Sequence, residues 1–257
     1  MKKLTAVVPA VAILMLTALA SAGVVVDEQQ TIDQPGGNKV TRPRTVMIEG
    51  NRQKSIIDNG VRSVITDLAN GTMTMVDGRR KTYVVFPFPS GQGMPAAQGG
   101  ASPTISFKKT GGQDKIIGYA CDEYSGAGIV GGNSVSVSGC FSDSAPGAKD
   151  YSNFQREMAE KVKGTSMANM GQIPAGVPLR LTVTTMLNSL SGAGASADQS
   201  GKLTPQFVTT TTVSTISMKD LPADTFQVPP GFQRQQQLPM FGGGPPMASP
   251  APHKVPE

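Results

Sequence analysis

Few side chains in this chain could perform covalent chemistry. Its only cysteines are Cys121, in IIGYACDEY, and Cys140, in VSVSGC, and its only histidine is His253. A lone histidine near the C-terminus cannot build a Ser-His-Asp triad or a histidine-rich zinc site within one chain. The cysteines lack the Cys-x-x-Cys spacing that lowers a thiol pKa for redox work. Asp122 and Glu123 fall on opposite faces of an extended segment, and no spacing marks the convergent carboxylates that glycoside hydrolysis needs. GAGIVGGN, residues 126–133, has neither the Lys-Ser/Thr nor the following helix of a phosphate cradle, so it is expected to be a hairpin loop. Met73-x-Met75 and Met167-x-x-Met170 have a spacing that soft Cu(I) accepts, but no histidine or free thiol supports them, and methionine commonly fills irregular cores. The chain therefore offers no catalytic, cofactor-binding or metal-binding residues, and no cofactor is expected.

The N-terminus sets the compartment. Lys2 and Lys3 precede an apolar run over residues 4–19, and Ala20-Ser21-Ala22 supplies small residues where a signal peptidase cuts. The run is interrupted by Thr5, Pro9 and Thr17 and is shorter than a membrane span requires. Residues 1–22 are expected to be a signal peptide and the protein to be exported, periplasmic or secreted, and not an integral membrane protein. Loss of Lys2 and Lys3 lowers the formal net charge of +5 by two, which is no nucleic-acid footprint. Arg79-Arg80-Lys81 follows Asp77-Gly78 and reads as a solvated turn, with contact to phosphate or anionic lipid as the lesser alternative.

Composition points to a mainly β protein. Thirty glycines and twenty prolines divide the sequence into short extended pieces. Strands are expected over residues 23–31, 45–49, 53–57, 82–86, 104–109, 115–124, 134–141, 178–187 and 206–218. SVITDLANGTMTMVD should form a hairpin around Asn70-Gly71, with Met73 and Met75 on one face. In KTYVVFPF, Tyr83 and Val85 share one face and Val84 and Phe86 the other, as in a strand covered on both sides. Tyr151, Phe154, Met158 and Val162 recur at helical spacing, so residues 151–162 are expected to form the one amphipathic helix, with Ser152 and Gln155 as its capping box and Gly164 ending it. Residues 87–103 and 188–202 are low in periodicity and read as long loops. The segment 23–232 reads as a single β domain, and residues 233–257 as a disordered Pro/Gly/Gln-rich tail.

In an oxidising compartment two cysteines suggest one disulfide. If 116–124 and 134–141 pair antiparallel, placing Cys121 opposite Cys140 centres the turn near Val130-Gly131, inside the expected loop. Such a staple should stabilise the fold by roughly 3 kcal/mol.

Ile65-Thr66-Asp67-Leu68 before Asn70-Gly71, then Lys81-Thr82-Tyr83, Gly118-Tyr119-Ala120-Cys121-Asp122-Glu123-Tyr124, Gly176-Val177-Pro178-Leu179 and Leu221-Pro222 through Phe226-Gln227-Val228-Pro229-Pro230-Gly231-Phe232 follow one another in a fixed order. That order resembles the exported bacterial family catalogued as domain of unknown function 4412, over most of residues 60–232. The resemblance implies a fold similar to lipoprotein carriers of the LolA and LppX type, an unclosed antiparallel β half-barrel with helix and loop lids over a concave face. It brings no established activity.

Two functions fit. One is a non-enzymatic exported protein that binds a lipid or lipidated protein on the concave apolar face, with Met73, Met75, Tyr83, Val85, Ile117, Tyr119, Phe154 and Met158 as candidate lining. The other is an envelope structural or protein-interaction module with no small ligand, which would engage a protein partner through a sheet edge or the proline-rich tail.

Overall fold

The computed structural model describes residues 22–34, 36–87, 105–130, 133–162, 173–186 and 207–235. Residues 1–21 of the expected signal peptide, residues 88–103 of the loop expected over 87–103, the loop over 188–202, Gly164, Met167, Met170, His253 and the tail beyond Gln235 lie outside them, while Pro87 ends the strand Thr82–Pro87.

Among the described residues twelve strands form one sheet in the order β12-β6-β5-β4-β3-β2-β1-β11-β10-β9-β8-β7. Six make a meander: β1 (Gly23–Asp33), β2 (Lys39–Glu49), β3 (Arg52–Ile57), β4 (Arg62–Asp67), β5 (Thr72–Asp77) and β6 (Thr82–Pro87). A second meander runs through β7 (Ser106–Ile116), β8 (Tyr119–Val130), β9 (Asn133–Ser142), β10 (Val177–Met186) and β11 (Phe207–Lys219), with α1 (Ala148–Val162) between β9 and β10. Antiparallel pairing of β1 with β11 joins the meanders. The far edges, β7 and the β6/β12 pair, are not hydrogen-bonded to each other, so the sheet stays unclosed. This is the mainly β, open antiparallel architecture expected.

Turn chemistry explains most of the reversals. The β4–β5 hairpin turns at Leu68–Gly71, where Gly71 takes a φ of 60° and Asp67 accepts the backbone N–H of Asn70. The segment read as one strand over 115–124 is in fact a hairpin: β7 ends at Ile116, Ile117 and Gly118 adopt φ of 45° and 90°, and β8 starts at Tyr119. Gly118 permits that reversal without a Cβ penalty. The next connection is tighter than expected, because β8 continues to Val130 and β9 begins at Asn133.

The helix begins earlier than expected, at Ala148, and Ser152 does not cap it. The Ser152 hydroxyl donates to the Ala148 carbonyl at 2.8 Å and accepts the Gly176 N–H at 2.7 Å, so it ties the helix to the start of β10. Gly176 has a φ of 100°, and a Cβ there would collide with the Ser142 carbonyl.

Two apolar clusters cover opposite faces of the first meander. Val24, Val26, Val46, Ile48, Leu68, Leu179 and Val213 are buried together with Tyr151, Phe154 and Val162 of α1. On the other face Ile65, Val76 and Tyr83 pack with Leu221, Phe226, Val228 and Phe232. The chain after β11 thus forms a strap across the outer face of β2–β6. It ends as β12 (Gln233–Arg234), parallel to β6. Composition alone predicts tail for these two residues, but backbone pairing with an edge strand needs no apolar side chain.

Candidate functional site

The inner face, beneath α1, grades from apolar to ionic. Strand alternation places Val24, Val26 and Glu28 on one face of β1, opposite Ile48, Val46 and Arg44 of β2. Glu28 is only 4% exposed. The Arg44 guanidinium lies 3.4 Å from Glu28 Oε2 and donates to Ser55 Oγ at 2.9 Å. Glu28 Oε2 and Arg44 Nε are nevertheless buried without a hydrogen-bond partner. Burial pushes the Glu28 carboxyl above its ordinary pKa, Arg44 pulls it back in part, and neighbouring Asp27 pushes it up further. Tyr151, projecting from α1, has its phenol raised by burial and by the charge of Glu28. A buried acid that one arginine satisfies incompletely is costly unless it serves something.

Farther along the same face the cover thins. Thr66 pairs with Met73, and Met73 with Phe86; Val64 pairs with Met75, and Met75 with Val84. Met73 packs at the border of the helix cluster, whereas Phe86 is 36% exposed. The inner face therefore carries a partly open apolar patch at the β5–β6 side.

The eight candidate lining residues divide accordingly. Met73, Tyr119, Phe154 and Met158 meet in the helix cluster. Met75 shares the inner face with Met73. Tyr83 and Val85 lie on the outer face, since Tyr83 pairs with Val76 and Val85 with Thr74, and Tyr83 packs against the strap. Ile117 sits at the β7–β8 turn, 40% exposed. Glu28, Arg44 and Ser55 are not among the candidates named from the sequence, and Tyr151 is expected only as part of the helix's apolar stripe. A usable signal was there: in VVVDEQQ, Glu28 falls at the same parity as two core valines.

Cys121 and Cys140 are bonded, with Cα atoms 5.3 Å apart. The bonded pair is the expected one, but the strand register is offset by two residues. Cys140 faces Glu123 rather than Cys121, so the bond is diagonal. Beside it Arg180 bridges Asp114 at 2.9 Å and Glu123 at 3.1 Å. Among the described residues no three His, Cys, Asp or Glu side chains come together as a metal site, and no helix is long and apolar enough to cross a membrane.

No protein-family model and no curated protein matches the chain. Among solved structures it is similar to PNGF-II, with a TM-score of 0.40 and 8% identity over 84% of this chain; it spans about a third (31%) of that protein. It is also similar to a domain named for outer membrane lipoprotein sorting from Vibrio parahaemolyticus (TM-score 0.32, 7% identity, 80% of this chain and 89% of that one). A third likeness is to a LolA-superfamily protein from Nitrosomonas europaea (TM-score 0.30, 9% identity, 81% of this chain and 90% of that one).

Proposed function

We propose that this is a non-enzymatic exported protein that holds one lipophilic molecule, a lipid or the acyl chain of a lipidated protein, between α1 and the inner face of β1–β6. The observation that carries this reading is the gradient on that face. A partly open apolar patch at Met73, Met75 and Phe86 lies on the same face as a buried acid–base pair whose polar atoms are not all satisfied. An acyl chain with a small polar head has complementary chemistry. Tyr151, Phe154 and Val162 bury the rest of the face, so entry of a long chain requires α1 to lift.

Native mass spectrometry of protein taken gently from the periplasm tests the reading. A single bound lipid, lost when Met73 and Met75 are both changed to Glu, is expected. A lipid-free chain that also fails to take up added fatty acid would overturn it.

The burial of so much of the inner face by the protein's own side chains favours a second reading, an envelope interaction module without a small ligand. It predicts the lipid-free result together with a protein partner recovered by cross-linking in the periplasm.

A further inference from the structure

Strand pairing gathers the β1–β2, β3–β4 and β5–β6 turns at one end of the sheet, together with the starts of β9 and β11 and the ends of β8 and β10. Basic residues scattered in sequence meet there. Asp33 is bridged by Lys39, Asp58 by both Arg42 and Arg62, and Asp77 by Arg80. Arg79, Lys81 and Arg234 have no ion pair among the described residues, and all three are exposed. The tip is built to project: Asp77 Oδ1 accepts the N–H groups of Arg79 and Arg80, each at 3.0 Å, and Lys81 takes a φ of 52°. The sequence connecting Met186 to Phe207 holds one acid, Asp198, and one base, Lys202, while residues 88–104 hold neither. These connections leave the excess positive charge in place.

Exposed apolar side chains also lie along the other half of the same rim. Ile129 is 56% exposed and Phe207 41%, and Ile129 with Met186 borders an open depression floored by Val135. Isolated apolar side chains separated along one rim from the unpaired bases suit a fluid, anionic surface better than a protein partner, which needs a contiguous desolvated patch.

We infer that this rim docks on an anionic phospholipid bilayer: the Arg79–Lys81 tip and Arg234 supply the attraction, and Ile129 and Phe207 enter the headgroup region. The inference stands apart from the interior ligand. Bilayer docking with no lipid in the native mass spectrum would leave the rim intact, and the converse would leave the interior intact.

The test is flotation of the oxidised, exported chain with vesicles of phosphatidylcholine alone or mixed with phosphatidylglycerol. Binding only to the anionic vesicles, weakened by salt, is expected. Each basic side chain near the surface contributes roughly fivefold, so changing Arg79, Arg80 and Lys81 together to Gln should weaken binding on the order of a hundredfold. Thermal unfolding should not change, because the tip is exposed. Changing Ile129 and Phe207 to Ser should remove the binding that survives high salt. Equal binding to neutral vesicles, no binding, an unaffected triple variant, or preference for soluble dextran sulfate over vesicles would each overturn the inference.

Discussion

Cys121 and Cys140 are joined on a diagonal across β8 and β9, with Glu123 opposite Cys140. Both are buried, at 4% and 0% exposure, within the cluster that α1 covers. The bond closes a loop of sequence separation 19, worth about 3 kcal/mol in the chain-entropy account. The double change to Ala should lose about that much in urea unfolding. In native buffer the sulfurs should resist reductant, and fast reduction without denaturant would contradict their burial.

Phe226 anchors the strap. It is 8% exposed, packs with Ile65 and Val76, and carries the Arg52 guanidinium 4.6 Å above its ring. Lys54 Nζ donates to the Thr225 carbonyl at 2.8 Å, fixing the same turn. Phe226→Ala should cost about 3–4 kcal/mol, and Arg52→Met nearer 1 kcal/mol, because one removes a packed ring and the other a cation over it together with a partly exposed ion pair to Glu49. Equal losses in urea unfolding would mean that the ring is not the anchor.

Ile117 occupies a left-handed conformation that β-branched residues avoid, at the first central position of a two-residue hairpin. Being exposed, it gains little there from burial. Ile117→Asn should raise stability by about 1 kcal/mol. A loss in thermal unfolding would reveal a contact that this exposure does not suggest.

Glu28 should make stability depend on pH in a definite direction. Its folded pKa is raised above the ordinary 4.5, so its contribution is fully present below 4.5 and is lost as pH rises through the folded value. In Glu28→Gln that component vanishes. The variant should gain on the wild type as pH increases from acid to neutral, read as the difference between two urea midpoints at each pH. A difference that stays flat across this range would show that Arg44 neutralises the acid fully.

The sequence made the strands legible because alternation and turn residues are local signals; Asn70-Gly71 marks its hairpin outright. Tyr83 was readable as a residue of a doubly covered strand, yet the element covering its outer face lies far away in the chain, at Phe226 and Phe232. Ile117 defeated the turn rules because the hairpin uses a residue those rules disfavour. The parity of Glu28 with Val24 and Val26 hinted at its burial, but its meeting with Arg44 depends on the β1–β2 register. Ser152 looked like a cap from its spacing, and its bond to Gly176 is invisible without tertiary structure.

The β1–β11 seam has a kinetic corollary. Each meander is built from neighbours in sequence, but the seam pairs Gly23 with Lys219 and Asp33 with Val208, two thirds of the chain or more apart. As a chain emerges from its N-terminus, β1 must present an unpaired edge until β11 arrives. Long-range pairing of this kind raises contact order and slows folding. Refolding after dilution from denaturant should therefore be limited by the seam, with substitutions along β11 slowing it more than those in the β3–β4 hairpin.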